Sequence, residues 1–296
     1  MENRIKNIIY EIYNDSKDEE VTNLYYQLFI VGMKSLILSE HKLGAYYNES
    51  KLKQELNLLR EYFSTDKSVR VILNTDDKGI FAILLPAIMM NKEWDAIIEN
   101  TVRLFNVCSI DYNKLPRIQL MASLISGYLI NKNIYVDNQL EDEVIESCKN
   151  KIIDISIKEM NEITSNEIDK IKILKYEQER IKIIELLNKR CIDEMKYLNI
   201  VYGYINCVNL DENISREEEV MIDSFAKFIV KMRSGRINPK MMKYDLQAKP
   251  TFSGYLKVKK FSHPIMGTCE IYDRKNGMIY IKTKIGNIRM KIDEKN

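Results

Sequence analysis

The chain has 296 residues, of which 45% are apolar and 30% charged, and its formal net charge is +2. This length and apolar content suffice for a large packed core and argue against an intrinsically disordered chain. The longest uncharged apolar run, Ile80 to Met90, covers eleven residues. A membrane-spanning helix needs about twenty. We therefore expect a soluble protein without a membrane partner.

The composition also limits the kinds of functional site that the chain can contain. The first twenty residues contain many acidic side chains and lack the continuous apolar stretch of a secretory signal, so a cytoplasmic protein is expected. Five cysteines are scattered without a CxxC pair, and the only histidines are His41 and His263. This pattern argues against a disulfide framework, a zinc cluster and a histidine-dependent triad. Carboxylates are the residues left for any catalysis.

A large all-helical domain is predicted for residues 1–245. Between residues 100 and 238 the chain has one proline, Pro116, and proline disrupts helix interiors. Apolar residues recur at spacings of three and four between residues 140 and 198, as on the buried face of amphipathic helices. The clearest single helix runs from about Arg216 to Arg233, with Gly235 as its stop.

Capping patterns mark three expected helix starts within this domain. A side chain that accepts hydrogen bonds from the first helical turn, followed three residues later by a glutamate, is typical of such a start. The pattern occurs at Asn138, Thr164 and Ser215.

The periodicity changes after a linker-like stretch between Pro239 and Pro250. Beyond it apolar and polar residues alternate, which is typical of strands, and tight-turn dipeptides occur at Asn276–Gly277 and Gly286–Asn287. We predict a small basic antiparallel β-meander or barrel-like module over residues 252–296. Its four strands are expected at Tyr255–Phe261, Thr268–Asp273, Met278–Ile285 and Ile288–Ile292.

The alternation gives this module one apolar and one cationic, aromatic face. The apolar face is predicted to carry Leu256, Val258, Ile271, Ile279, Ile281, Ile285, Ile288, Met290 and Ile292. The other face has Tyr272 and, as its main acidic member, Glu270. Its predicted anion-binding residues are Tyr255, Lys257, Lys259, Tyr280, Lys282, Lys284, Arg289 and Lys291.

The charge of the chain is strongly uneven. Residues 227–292 carry sixteen lysines and arginines against three acidic residues. Because the whole chain carries +2 and the last four residues −1, the first 226 residues carry −10. A cationic face with tyrosines can neutralise phosphates and stack on bases, which favours nucleic acid as a partner. Outer-face lysines also serve solubility and edge protection, and the module could dock on an acidic protein surface, including its own helical domain.

Two adjacent aspartates, Asp76 and Asp77, immediately precede the apolar run. Paired carboxylates beside a buried helix are a candidate divalent-cation site. The same residues can instead cap the helix that follows or form the turn into it.

Thr75, Asp76 and Asp77 resemble the Thr-Asp-Asp motif of ADP-ribosylglycohydrolases, an all-helical family whose aspartates hold magnesium. The resemblance covers about residues 72–131, where a glycine, an apolar run and a proline precede an amphipathic helix. It implies magnesium at Asp76 and Asp77. The family's glycine-rich GD-x-x-G start and its second Asp-x-Asp-Thr motif are missing from this sequence. The resemblance therefore implies a degenerate scaffold whose catalytic role is lost.

Two functions remain open. The first is a non-catalytic binding or regulatory protein, a helical scaffold whose basic β module contacts an anionic partner without a cofactor. The second is an atypical or degenerate magnesium-dependent hydrolase similar to ADP-ribosylglycohydrolases. The charge asymmetry and the lack of a Walker A loop, a GxSxG elbow or an HExxH helix favour the first. The oligomeric state stays open, because amphipathic faces can be buried within a chain or between chains.

Overall fold

The computed structural model describes most of the chain as a helical body followed by a small β-sheet. The predicted class, mainly α with a C-terminal antiparallel β module, is confirmed. Within the described part, no helix is both long enough and apolar enough to cross a membrane. The described residues are 1–14, 24–38, 44–62, 76–130, 135–136, 139–153, 157–164, 168–206, 216–234, 259–263, 267–275, 278–283 and 286–291.

Eleven α-helices lie within these residues. They are α1 (Glu2–Asn14), α2 (Leu24–Ser35), α3 (Glu49–Tyr62), α4 (Asp77–Met90), α5 (Trp94–Cys108), α6 (Leu115–Ile130), α7 (Asp142–Ile153), α8 (Ile157–Thr164), α9 (Lys170–Asn188), α10 (Leu198–Asn206) and α11 (Arg216–Arg233). Two short 3-10 helices occur at Tyr112–Lys114 and Ile192–Glu194. Two antiparallel pairs of short strands join β1 (Leu36–Leu38) to β2 (Ala45–Tyr47) and β3 (Tyr135–Val136) to β4 (Gln139–Leu140).

Helix α4 is the central element of the helical body. All its residues from Gly79 to Met90 are buried, and α2, α5, α6 and α11 pack around it. A helix that is apolar on every side requires such enclosure. Pro86 lies within α4, so the carbonyl of Ala82 receives no N–H from it.

Helices α2 and α4 approach each other closely at Gly32 of α2. A Cβ atom there would lie closer than 3.0 Å to the backbone oxygen of Ile83 in α4. The same oxygen accepts a hydrogen bond of 2.5 Å from the hydroxyl of Tyr47, which is fully buried. The absence of a side chain at Gly32 therefore allows α2 to pack directly on the backbone of α4.

Two buried asparagines attach the β1–β2 hairpin to the helices. Asn91 accepts the N–H of Ala45 at 2.8 Å and donates to the carbonyl of Ala45 at 2.9 Å. Asn100 accepts the N–H of Tyr47 at 2.8 Å and donates to the carbonyl of Ala45 at 2.9 Å. These bonds satisfy backbone groups of β2 that a two-stranded sheet leaves unpaired.

The predicted helix starts had mixed outcomes. Helix α11 has the bounds expected from its amphipathic pattern, although Ser215 lies outside the described residues, as does Asn138. The start at Thr164 was wrong, because Thr164 ends α8. The next helix begins after Asp169, whose carboxylate accepts the N–H of Ile171 at 2.9 Å.

The C-terminal sheet consists of β5 (Lys260–His263), β6 (Gly267–Lys275), β7 (Met278–Thr283) and β8 (Gly286–Lys291), which pair antiparallel in this order. The described strands form an open meander with β5 and β8 at its edges, so the barrel-like alternative was wrong. A turn at Gly286–Asn287 was also wrong, because both residues belong to β8 and pair with Thr283 and Lys282.

The first strand has the opposite alternation from the one predicted. Phe261 is buried and pairs with the buried Cys269, while Lys260 pairs with Glu270 on the outer face. The carbonyl of Lys259 accepts the N–H of Ile271, so Lys259 lies on the side of the buried residues, at the exposed start of the strand. The prediction that Lys259 lies on the outer face was therefore wrong. The pairing of Phe261 with Cys269 sets the register of this strand, and the alternation in the preceding sequence does not.

Candidate functional site

Asp76 is the N-cap of α4. Its backbone is extended, with φ −126° and ψ 112°, and its carboxylate accepts the N–H of Lys78 at 3.0 Å. The carbonyl of Asp76 accepts the N–H of Ile80 at 3.4 Å. An acidic N-cap satisfies a first-turn donor and interacts favourably with the positive end of the helix dipole. The capping interpretation is therefore confirmed for Asp76.

Asp77 is the centre of a network of half-buried charges. Its Oδ1 lies 2.6 Å from Nζ of Lys114, and its Oδ2 lies 3.2 Å from a guanidinium nitrogen of Arg117. The second amino group of Arg117 contacts Glu179 at 3.1 Å. The network joins α4 to the 3-10 helix before α6, to α6 and to α9. No sequence pattern indicated these partners, which lie far apart in the chain.

This arrangement does not fit a magnesium site. Magnesium requires carboxylate oxygens that are open to the ion and its waters. Both oxygens of Asp77 contact cations, and Asp76 is engaged in capping. Within the part of the chain that the structure describes, no three His, Cys, Asp or Glu side chains gather to hold a metal ion. Thr75 lies outside the described residues.

A second charged cluster joins α2 to α3 and was not anticipated from the sequence. Burial lowers the pKa of Lys34 to about 8, with Glu55 raising it and Lys51 lowering it further. Burial also lowers the pKa of Lys51 and raises that of Glu55. With both lysines and the glutamate ionised, this cluster carries one excess positive charge that is shielded from water. Perturbed groups of this kind occur at functional sites and in structural ion clusters alike.

The pKa of Lys34 predicts a specific pH dependence. Below pH 8 the folded and unfolded chains both hold the proton, so the full cost of burying the charge is present. Between about pH 8 and 10.5 the unfolded chain binds more protons, so stability rises with pH. We expect Lys34→Met to stabilise the chain at neutral pH by about 1–3 kcal/mol and to flatten this rise.

Urea denaturation on both sides of pH 8 measures this effect as the difference between variant and parent. Lys53→Met is the matched control, because Lys53 is an exposed lysine of the same helix as Lys51. An unchanged pH profile in Lys34→Met would contradict the assignment.

The outer face of the C-terminal sheet carries a row of polar residues across all four strands. Lys260, Glu270, Lys282 and Asn287 lie opposite one another in register. Nζ of Lys260 lies 3.4 Å from the carboxylate of Glu270, and the side chain of Lys282 is exposed.

The next row of the same face is aromatic. Tyr280 of β7 pairs with Asp273 on one side and with Arg289 on the other. The ring of Tyr272 lies 6.1 Å from that of Tyr280, with 53° between the ring planes, and Tyr272 is 51% exposed. A register shift between Ile271 and Asp273 makes Tyr272 the extra residue of a β-bulge. Alternation alone could not indicate that bulge.

The predicted anion-binding residues are only partly gathered on this face. Tyr280 and Lys282 lie there, and Arg289 and Lys291 lie in β8, opposite Tyr280 and Met278. Lys259 is on the other side, and Lys260, missed by the sequence pattern, takes its place. The remaining predicted residues fall outside the described chain, and they are Tyr255, Lys257 and Lys284.

The described part of the module remains cationic after its internal ion pairs are formed. Its strands and Lys259 contain seven lysines and arginines against two acidic residues. Both acidic residues contact lysines of the same sheet, Glu270 with Lys260 and Asp273 with Lys275 at 2.7 Å. The hydrogen bond from Lys275 lowers the pKa of Asp273. The described strands therefore keep an excess of positive charge, and both of their acidic residues are engaged within the sheet.

Comparison with known proteins adds no relative. No protein-family model matches the chain, no curated protein matches it, and no solved structure matches it. The resemblance to ADP-ribosylglycohydrolases stays a prediction.

Proposed function

We propose that this chain is a non-catalytic binding protein, in which the helical body is a scaffold and the basic β module contacts an anionic partner. The observation that carries the proposal is the outer face of the sheet. It presents the exposed side chains of Lys282 in β7 and Tyr272 in β6, two neighbouring strands. The acidic residues of the described strands are paired with lysines of the same sheet.

The charge distribution supports an anionic partner outside the chain. The acidic first 226 residues could attract the module, but the ion pairs of Lys260 and Lys275 run to carboxylates of their own sheet. Cations displayed on a strand face raise the local concentration of anions and steer their association. This charge distribution favours an anion from outside the chain as the partner of the module.

The alternative, a degenerate magnesium-dependent hydrolase, receives less support. It depends on Asp76 and Asp77 as metal ligands. One of them caps a helix and the other is held by Lys114 and Arg117. We therefore prefer the binding function.

Heparin binding of the full chain tests the proposal. Reversing two cations of the outer face, Lys260→Glu with Lys282→Glu, is expected to weaken binding at about 50 mM salt by at least tenfold and to reduce its salt dependence. Removing the acidic residue between them, Glu270→Gln, is expected to strengthen binding.

The matched control reverses two exposed lysines of the helical body, Lys53→Glu with Lys189→Glu, and changes the net charge equally. An equal loss of heparin binding in this control would show that only net charge matters. Such a result, or no loss when Lys260 and Lys282 are reversed, would overturn the proposal.

A further inference from the structure

Tyr272 of the β module is more exposed than the tyrosines that form the core of the helical body. Large aromatic side chains normally contribute to stability by being buried. Tyr272 is half exposed on the outer face of the sheet. In the helical body, by contrast, fully buried tyrosines include Tyr10, Tyr26, Tyr47, Tyr176 and Tyr204.

The backbone of β6 is distorted at this tyrosine. Ile271 pairs with Ile281 and Asp273 pairs with Tyr280, which leaves Tyr272 as an added residue between them. A bulge interrupts the ladder and re-aims a side chain, and bulges are frequent beside binding sites. Here the bulge brings Tyr272 and Asp273 to the outer face together, with the ring of Tyr272 beside Tyr280.

The strand register places two cationic residues next to Tyr280. Arg289 is opposite Tyr280 in the adjacent strand, and Lys282 is the next outward residue along β7. Outward residues of one strand are about 7 Å apart, and neighbouring strands are about 5 Å apart. A chain lying across the face would thus meet aromatic rings and cations within one or two residues of each other.

From this arrangement we infer that the anionic partner is a single-stranded nucleic acid whose bases stack on Tyr272 and Tyr280. The inference rests on the proposed function, the binding of an anion by the basic module. Single-strand binding surfaces combine cations for the backbone with aromatic rings for the bases. An acidic protein surface would use the cations but would gain little from the exposed rings. In a duplex the base faces are already stacked.

Fluorescence anisotropy with the full chain tests this inference. The probes are a labelled oligothymidylate of about ten nucleotides, an abasic phosphodiester strand of the same length, and a poly-glutamate peptide. We expect the oligothymidylate to bind about tenfold more tightly than the abasic strand and the peptide. Tyr272→Leu and Tyr280→Leu should each lower oligothymidylate affinity about tenfold and leave abasic binding unchanged. The Tyr→Phe variants should retain binding.

The comparison of the two strands uses the parent chain, so it does not depend on the folding of any variant. Equal affinity for the oligothymidylate and the abasic strand would overturn the inference. Tighter binding of poly-glutamate than of the oligothymidylate would also overturn it. Heparin binding that persists in either case would leave the proposed function standing. If the parent chain bound neither heparin nor the oligothymidylate, both the inference and the proposed function would be contradicted.

Discussion

Replacing Gly32 with alanine is expected to destabilise the chain by about 3 kcal/mol. The new Cβ would overlap the backbone oxygen of Ile83 and lie 3.2 Å from Cγ of Pro86. Neither atom belongs to a flexible side chain, so α2 and α4 must separate. The hydrogen bond from Tyr47 to the same oxygen would then be strained. Urea denaturation of the purified variant measures the loss.

Gly203→Ala is the matched control for this prediction. Gly203 lies inside α10, and among the described residues a Cβ there would meet only Oε1 of Glu11 at 3.7 Å, an ordinary contact distance. Glycine is about 1 kcal/mol less favourable than alanine in a helix interior, so this variant should be more stable than the parent. Opposite signs at the two glycines are the expected result. A stable Gly32→Ala variant would contradict the packing described for α2 and α4.

Features that depend on local periodicity could be predicted from the sequence. The bounds of α11 follow from an amphipathic stripe and basic residues in the last turn, and the structure has them at Arg216 and Arg233. The antiparallel strands follow from alternation of apolar and polar residues. Such patterns involve neighbours in the chain, and tertiary packing reinforces rather than opposes them.

Features that depend on distant contacts could not be predicted. Nothing near Asp77 indicates that Lys114 and Arg117 will pair with it. The bulge at Tyr272 and the alternation at Lys260 follow from pairing with β7 and β6, not from their own strand sequences.

The distant contacts of Arg233 could not be predicted either, although the bounds of its helix could. A basic residue in a last turn is expected to interact with its own helix end. Arg233 is instead buried and donates to the carbonyls of Ile88 and Met89 at 3.2 and 3.1 Å, and to that of Asn91. Burial lowers its pKa. It therefore satisfies the carboxyl end of α4, an element more than 140 residues away in the chain.

Replacing Asp77 with alanine is expected to destabilise the chain by about 2–3 kcal/mol. The variant leaves Lys114 and Arg117, whose side chains are 12% and 26% exposed, without their shared carboxylate. Asp76→Ala removes a capping bond and should cost only about 1 kcal/mol. Asp95→Ala, at an exposed first-turn aspartate of α5, is the control and should cost about 0.5 kcal/mol.

Thermal unfolding of the same variants with and without magnesium distinguishes a binding scaffold from a hydrolase. A ligand that binds only the folded chain raises its stability according to concentration and affinity, so thermal unfolding detects metal without knowledge of a substrate. The ion pairs of Asp77 predict no shift in unfolding temperature at millimolar magnesium. A magnesium-dependent increase that disappears in Asp76→Ala and Asp77→Ala would show that the ion displaces Lys114 and Arg117. Magnesium-dependent release of ADP-ribose from a modified substrate would then favour the hydrolase over the binding protein.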